Sequence, residues 1–234
     1  MQLSRFDRII ASVSPKYALS RVQAKAALGL FSRSYDGASR GRRFANWFTS
    51  ATSANSEINN STGLLRDRAR DLVRNNPFAS KGLQVIVSNT VGEGIIPEAR
   101  HKDKATAKLA NDNWIKWAET QKCDARGLLD FYGIQALVLR TVTESGECFV
   151  KREYVSVGPN EIPIKLTVLE PDYLDEYKNE TLANGGRIFN GIEFDSFGKP
   201  IAYHFRKTHP GDINNFGNLE VVRVEAKDII HCFR

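Results

Sequence analysis

The feature that most constrains the fold is the dipeptide Asn76-Pro77, which interrupts a long stretch of helical periodicity. Proline is accommodated in the first turn of a helix, but it disfavours the helical region for the residue before it. We therefore predict that one helix ends at Asn75 and that a second runs from Pro77 to about Thr90, with Asn76 as its N-cap. Gly92-Glu93-Gly94 predicts a tight turn after the second helix.

The first of these helices has two chemically distinct faces. Apolar residues recur at helical spacing and predict a stripe that faces the core, namely Leu65, Ala69, Leu72 and Val73. Charged residues are then expected on the opposite, solvent-exposed face, namely Arg66, Asp67, Arg70 and Arg74. We predict ion pairs on that face between Asp67 and Arg70 and between Asp71 and Arg74. Exposed pairs contribute little, so alanine at the three arginines should leave the monomer folded.

The composition and the hydrophobic periodicity of the sequence change along the chain. Residues 1–60 are basic with a polar, small-residue-rich end, and they predict an arm with a short helix and a linker. Residues 61–145 show helical periodicity, whereas residues 146–234 show the two-residue period of strands. Helices followed by strands predict an α+β fold, in which central helices and antiparallel β-hairpins form one domain, residues 61–234.

Two local expectations concern the ends of elements. Asp124 is a candidate N-cap for a helix that is predicted from Leu128 to Ser145. The segments Arg187–Phe194 and Lys199–Arg206 are each predicted to form one strand, and the two strands should pair as a hairpin around residues 195–198.

The net charge of +6 is concentrated in the arm. Residues 1–50 contain nine basic and two acidic residues, a balance of +7, whereas the rest of the chain is close to neutral at −1. Clustered cations contact nucleic acid or acidic protein surfaces in some proteins and form a solvated tail in others. The candidate contact residues are Arg5, Arg8, Lys16, Arg21, Lys25, Arg33, Arg40, Arg42 and Arg43.

Little in the sequence indicates catalysis or a cofactor. The three cysteines are scattered without a Cys-x-x-Cys pair, which argues against a disulfide framework and fits a reducing compartment. No apolar run reaches the roughly 18–20 residues that span a bilayer. The acids between Glu170 and Glu176 suit either a magnesium-dependent nuclease or a solvated turn, and we favour the structural interpretation. We predict a protein that is not an enzyme and binds no cofactor or metal, in which His231 makes an ordinary hydrogen bond within a strand.

An ordered series of short motifs resembles the portal proteins of the lambda family of tailed bacteriophages. The longest segment of the series runs from Leu65 to Pro97. The other motifs are Tyr35-Asp36-Gly37-Ala38, Arg42-Arg43, Trp47, Trp114 to Glu119, Cys123-Asp124, Gly146 to Phe149, Leu169 to Asp172, Asn190 to Glu193 and Ile230 to Phe233. No single motif is specific, but their succession over residues 35–234 follows the order of the family.

The resemblance implies a structural subunit of a ring of about a dozen copies, through which double-stranded DNA is packaged and ejected. It implies that the large terminase, the capsid and the head-completion proteins are partners of the subunit. It also implies assembly in the host cytoplasm and a final location at one capsid vertex of the virion. The chain resembles the N-terminal half of such a subunit, with a wing-like domain but without stem and clip. On this basis we assign to subunit contacts Arg66, Asp67, Arg70, Arg74 and Trp47.

A different class of function also fits the charge distribution. The chain could be a stand-alone nucleic-acid-binding protein or a capsid scaffold protein that acts through its basic arm. Tight, salt-dependent DNA binding by the monomer would favour that class. Metal-dependent strand cleavage would favour the nuclease, and the absence of both behaviours would favour the portal subunit.

Overall fold

The computed structural model describes residues 14–31, 52, 61–158, 161–183, 185–212 and 220–233. The chain divides into two compact units, residues 1–57 and residues 58–234. In the first unit the structure describes helix α1 (Pro15–Phe31). Ala18 of this helix is buried, whereas Tyr17 and Leu19 are exposed.

The second unit begins with helices whose junction follows the sequence prediction. The helices are α2 (Thr62–Asn75), α3 (Pro77–Thr90), α4 (Lys104–Ala118) and α5 (Phe131–Ser145). Between the first two, Asn76 Oδ1 accepts hydrogen bonds from the backbone N–H groups of Phe78 at 2.9 Å and Ala79 at 3.2 Å. These bonds satisfy donors that the first turn of a helix leaves unpaired. Gly92 and Gly94 then turn the chain with positive φ, as predicted.

The strands of the described residues form two antiparallel sheets. They are β1 (Glu147–Tyr154), β2 (Ile164–Leu169), β3 (Glu180–Thr181), β4 (Arg187–Phe189), β5 (Ile192–Phe194), β6 (Pro200–Arg206), β7 (Val221–Glu225) and β8 (Ile229–Phe233). The three-stranded sheet has the order β2-β1-β8, and the five-stranded sheet has the order β3-β4-β5-β6-β7. Helices followed by antiparallel sheets confirm the predicted α+β class.

Strand β1 lies at the centre of the fold because its two faces pack against different layers. Val150, on one face, belongs to a buried cluster with Trp117 of α4 and Ile134 of α5. Phe149, on the other face, packs against Phe205 of β6, with ring centroids 5.1 Å apart. Successive residues of a strand point to opposite faces. The three-stranded sheet therefore packs between the helices and the five-stranded sheet.

The predicted start of α5 is wrong. The helix begins at Phe131 rather than near Leu128, and its N-cap is Asp130, whose Oδ1 accepts a backbone hydrogen bond at 2.7 Å. Asp124 instead organises the turn before the helix, since its carboxylate accepts backbone hydrogen bonds from within residues 126–129. A side chain that accepts hydrogen bonds from nearby backbone groups suits a turn as well as a cap.

The segment predicted as one strand, Arg187–Phe194, is in fact two strands. Asn190 and Gly191 have φ angles of 50° and 75° and form the hairpin turn between β4 and β5. Asn-Gly is the favoured pair for a tight turn that needs positive φ at both positions. Gly191 also has no space for a side chain, because a Cβ there would lie 2.7 Å from the backbone oxygen of Asp175.

Candidate functional site: an arginine–carboxylate network beneath α2

Helix α2 turns Arg66 and Arg70 toward the protein and its leucines toward solvent. Arg66 is only 4% exposed, whereas Leu64, Leu65 and Leu72 are 54%, 56% and 53% exposed. The prediction that the apolar stripe faces the core is therefore wrong for Leu65 and Leu72. The reason is electrostatic, because carboxylates from the strands and loops beneath the helix bind its arginines.

Arg66 is a buried cation surrounded by carboxylates. Its Nη2 donates to Glu176 Oε1 at 2.7 Å and to Glu147 Oε1 at 3.4 Å, and its Nη1 lies 3.6 Å from Asp172 Oδ1. Two of these acids belong to residues 170–176, which we call the acidic segment. A buried charge is costly unless partners compensate it. The position of α2 thus depends on these carboxylates.

Arg70 lies one helical turn after Arg66 and binds the same acidic segment. Its Nη2 donates to Asp172 Oδ2 at 2.5 Å and to Glu170 Oε2 at 2.8 Å. Burial opposes the ionisation of Asp172, but the hydrogen bond from Arg70 and the charges of both arginines hold its pKa below its usual value. Burial likewise opposes the charge of Arg70, but the hydrogen bond to Asp172 and the nearby carboxylates raise the pKa of the arginine. Asp172 is therefore an ionised bridge between two guanidinium groups.

The network continues into both sheets. Glu147 Oε2, on β1, lies 3.0 Å from Nε2 of His231 on β8, so the histidine has the ordinary strand hydrogen bond that was predicted. The ring of His231 stacks on Phe149 with centroids 4.3 Å apart. In the five-stranded sheet, Arg206 Nη2 donates to Asp175 Oδ1 of the acidic segment at 2.8 Å. Charged side chains thus connect α2, the acidic segment and both sheets.

The predicted roles of the α2 charges change accordingly. Arg66 and Arg70 do not lie on an exposed face, and Arg70 pairs with the acidic segment instead of Asp67. Asp71 accepts a hydrogen bond at 2.6 Å from an asparagine one turn later, so the predicted pair with Arg74 is also wrong. Asp67 and Arg74 are exposed, and their place in a subunit contact stays a prediction. Arg66 and Arg70 have their guanidinium groups bound within the chain, and their place in a subunit contact likewise stays a prediction.

The acidic segment also contains the one group of potential metal ligands found among the described residues. Ligand atoms of Glu170, Asp172 and His209 lie within 4.8 Å of one another. Arg70 already donates to both carboxylates of that group. A guanidinium thus supplies the positive charge that a metal ion would supply. This geometry favours the structural interpretation of the acidic segment over a nuclease site.

A second charged cluster, which the sequence patterns did not predict, lies in the five-stranded sheet. Arg223 of β7 binds Glu193 of β5 through Nε at 2.7 Å and Nη2 at 3.1 Å. His204 of β6 lies beside this pair, with Nε2 3.3 Å from Glu193 and Nδ1 3.3 Å from Lys178 Nζ. Burial and the Lys178 charge lower the pKa of His204, whereas the hydrogen bond from Arg223 lowers that of Glu193. The cluster joins adjacent strands through a neutral histidine and an ion pair.

The candidate residues of the basic arm fall mostly outside the described residues. Those outside are Arg5, Arg8, Arg33, Arg40, Arg42, Arg43 and, among the predicted subunit contacts, Trp47. Lys16 and Arg21 are exposed on α1. Of Lys25 the structure describes the helical backbone.

The cysteines of the second unit are poor candidates for nucleophiles. Burial raises the pKa of Cys123 to about 11 and that of Cys148 to about 12. Such thiols are protonated at neutral pH, and the thiolate is the nucleophilic form. Cys232, which is half-buried, also has a pKa raised by burial.

Across the helices that the structure describes, none has the length and apolar character needed to cross a membrane.

Comparison with known proteins identifies the family of this chain. The sequence model of the lambda family of phage portal proteins matches residues 40–234, and the chain belongs to that family. This confirms the resemblance drawn from the ordered motifs. A curated relative, a probable portal protein from Halomonas phage phiHAP-1, is 30% identical over 175 residues. The match covers 70% of this chain and 33% of the relative, so the chain spans about a third of the relative's length.

Proposed function

We propose that this protein is a structural subunit of the portal ring of a tailed phage, through which double-stranded DNA is packaged and ejected. The observation that carries the proposal is the family match over residues 40–234. A ring at one vertex of the capsid needs a closed set of identical head-to-tail contacts between copies. Large terminase, capsid and head-completion proteins are the partners that this role requires.

The arginine–carboxylate network supports a mechanical role rather than a catalytic one. A conduit for DNA must keep its shape while the polymer moves through it. Arg66 and Arg70 share Asp172 as a partner, so α2 cannot shift relative to the sheets without breaking several charge-assisted hydrogen bonds. A buried network of this kind fixes one arrangement of helix and sheet.

We further propose that residues 61–234 form the wing-like part of the subunit. A helical layer packed on two antiparallel sheets fits a peripheral domain better than a bore lined by long helices. Contact with DNA of any sequence requires lysine and arginine against phosphates. The basic residues of the first 50 positions supply such charge for DNA or for acidic partner surfaces.

The experiment that tests this function is localisation in assembled particles. Gold-labelled antibody against the chain is applied to tailed-phage heads from cells that express it, and the heads are imaged by electron microscopy. A portal subunit gives label at one vertex of each head. Label spread over the capsid indicates a capsid or scaffold protein, and label on free DNA without particles indicates the stand-alone DNA-binding protein. Either of these results overturns the proposal.

A further inference from the structure

Two cysteines that are far apart in the sequence meet in the three-stranded sheet. Cys148 of β1 and Cys232 of β8 are 84 positions apart, yet they lie directly opposite each other in the antiparallel pairing of the two strands. Both are free thiols in the structure, as is Cys123, which lies outside the sheet. The spacing of the cysteines along the chain does not predict this pair, because the fold sets which strands are neighbours.

The geometry of the strand pair brings these two thiols within reach of a disulfide bond. Opposite residues on antiparallel strands have Cα atoms about 4.5–5.5 Å apart, and disulfides usually join Cα atoms about 4.4–6.8 Å apart. Opposite residues also share a face of the sheet. The adjacent pair shows this arrangement, since the rings of Phe149 and His231 stack with centroids 4.3 Å apart. Cys148 and Cys232 therefore lie side by side on the other face.

The surroundings of the two thiols determine how they react. Cys148 is fully buried, and its Sγ donates a weak hydrogen bond of 3.7 Å to the backbone oxygen of Leu169, on the β2 side of the strand. A rotation about χ1 from one staggered rotamer to another turns Sγ toward β8. Cys232 is half-buried, so an oxidant from solvent reaches it first. Burial raises the pKa of both thiols, and the thiolate is the reactive form, so the reaction is slow at neutral pH.

We propose that Cys148 and Cys232 form a cross-strand disulfide when the protein meets a disulfide oxidant such as oxidised glutathione. The Cys232 thiolate attacks one sulfur of the oxidant, which gives a mixed disulfide and releases one glutathione thiolate. The Cys148 thiolate then attacks Sγ of Cys232, and the second glutathione thiolate leaves. Two protein thiols are oxidised to a disulfide, the oxidant is reduced to two glutathione molecules, and the protons of the protein thiols pass to the leaving thiolates.

The occasion for this reaction rests on the proposed function. A portal subunit folds in a reducing cytoplasm, where thiols persist, and it leaves the cell in a virion, where disulfides are stable. Among the described residues β8 is an edge strand that pairs with β1 alone. The disulfide fixes β8 and with it His231, which binds Glu147 in the network beneath α2. Oxidation thus stabilises the second unit after assembly.

Peptide mapping after oxidation of the folded chain tests the proposal. The chain is incubated with oxidised glutathione at several pH values, free thiols are blocked with N-ethylmaleimide, and tryptic peptides are identified by mass spectrometry. Each cysteine lies in its own tryptic peptide, residues 123–126, 141–151 and 228–234. Cys232→Ser is the matched variant. Oxidation in urea is the control without a fold, because an unfolded chain favours the shorter loop between Cys123 and Cys148, which are 25 positions apart.

The expected result is a link between peptides 141–151 and 228–234 in chains that run as monomers on a non-reducing gel, with peptide 123–126 blocked. The link should form faster as pH rises. It should raise the unfolding midpoint by roughly 4–16 °C, the usual effect of a disulfide in a domain of this size, and Cys232→Ser should show neither change.

Several results overturn the proposal. They are blocked thiols at both positions, glutathione that stays on Cys232, a link between two chains, and the same mixture of links from the folded chain as from the chain in urea. A linked chain without the rise in midpoint refutes the stabilising role. Localisation in particles does not depend on the cysteines. Label at one vertex without the link therefore refutes the disulfide alone, whereas label spread over the capsid refutes the function.

Discussion

Replacement of Arg66 by alanine is the most direct test of the network beneath α2. The side chain of Arg66 is 3% exposed, and the carboxylates of Glu147, Asp172 and Glu176 lie within 3.6 Å of its guanidinium. Alanine removes the cation and leaves three acids close together and partly buried. Breaking a buried ion pair by removing one partner costs about 3–5 kcal/mol. The three acids retain 18–29% exposure, so water screens them in part and the lower end of that range is expected.

The assay is thermal unfolding followed by circular dichroism. For a domain of 150–250 residues, 1 kcal/mol shifts the midpoint by about 2–4 °C, so a loss of about 3 kcal/mol lowers it by roughly 6–12 °C. Arg74→Ala is the matched control, because Arg74 is an exposed arginine on the same helix. A surface substitution of this type changes stability by about 0.5 kcal/mol or less.

The pH dependence gives the same test an independent readout. The pKa of Asp172 is held below its usual value in the folded state, so the resulting stability is present at neutral pH and is lost as pH falls through the folded pKa. A protonated carboxyl group is neutral, so the loss of a neighbouring cation no longer destabilises it. The difference in stability between Arg66→Ala and the unmodified protein should therefore narrow below about pH 4, near the pKa of an unperturbed aspartate. If Arg66→Ala unfolds at the same temperature as Arg74→Ala at pH 7, the charge network does not position α2.

The remaining predictions concern two glycines, the arm and the oligomeric state. Gly82→Ala should raise the unfolding midpoint by roughly 1–4 °C, because alanine stabilises a helix by about 0.5–1 kcal/mol and has open space there. Gly94→Ala should lower the midpoint, since φ is +118° and a Cβ would lie 2.2 Å from the ring of Tyr132. Deletion of residues 1–50 should abolish a weak, salt-sensitive DNA affinity with a dissociation constant of roughly 10⁻⁴–10⁻⁶ M, as fluorescence titration would show. By sedimentation the unmodified chain should be monomeric or weakly associated at micromolar concentration, and a stable ring would contradict this.

The local structure of the central helices was predictable because it depends on neighbouring residues. Proline and asparagine determine the break between α2 and α3 through backbone sterics and one side-chain cap, and the structure has both. The two-residue period after residue 146 likewise predicted strands, and the structure has strands there, among them β1 and β2. The hairpin turn at Asn190-Gly191 also has a local signal, but the apolar residues on both sides of it favoured one continuous strand.

The orientation of α2 could not be predicted from its own sequence. Its apolar stripe indicated one buried face, yet the buried face is the one that carries Arg66 and Arg70. The spacing of four residues between Arg66 and Arg70 predicts that they share one face of the helix. The acids that bind them lie in residues 170–176, some 100 positions further along the chain. The sequence therefore shows the arginines and the acids separately, but local patterns do not predict that the two groups bind each other.

What the sequence by itself determined is the order of elements, the α+β class and the portal family, because these depend on local periodicity and on an ordered series of motifs. Only the tertiary structure decided which face of α2 is buried. The strand β1 brings Glu147 beneath the helix, and the turn after β2 brings Asp172 and Glu176 to the same place. With these carboxylates beneath α2, the opposite face of the helix would leave them without a cation, and a partly buried charge without a partner is costly. This arrangement leaves the leucines of α2 on the surface.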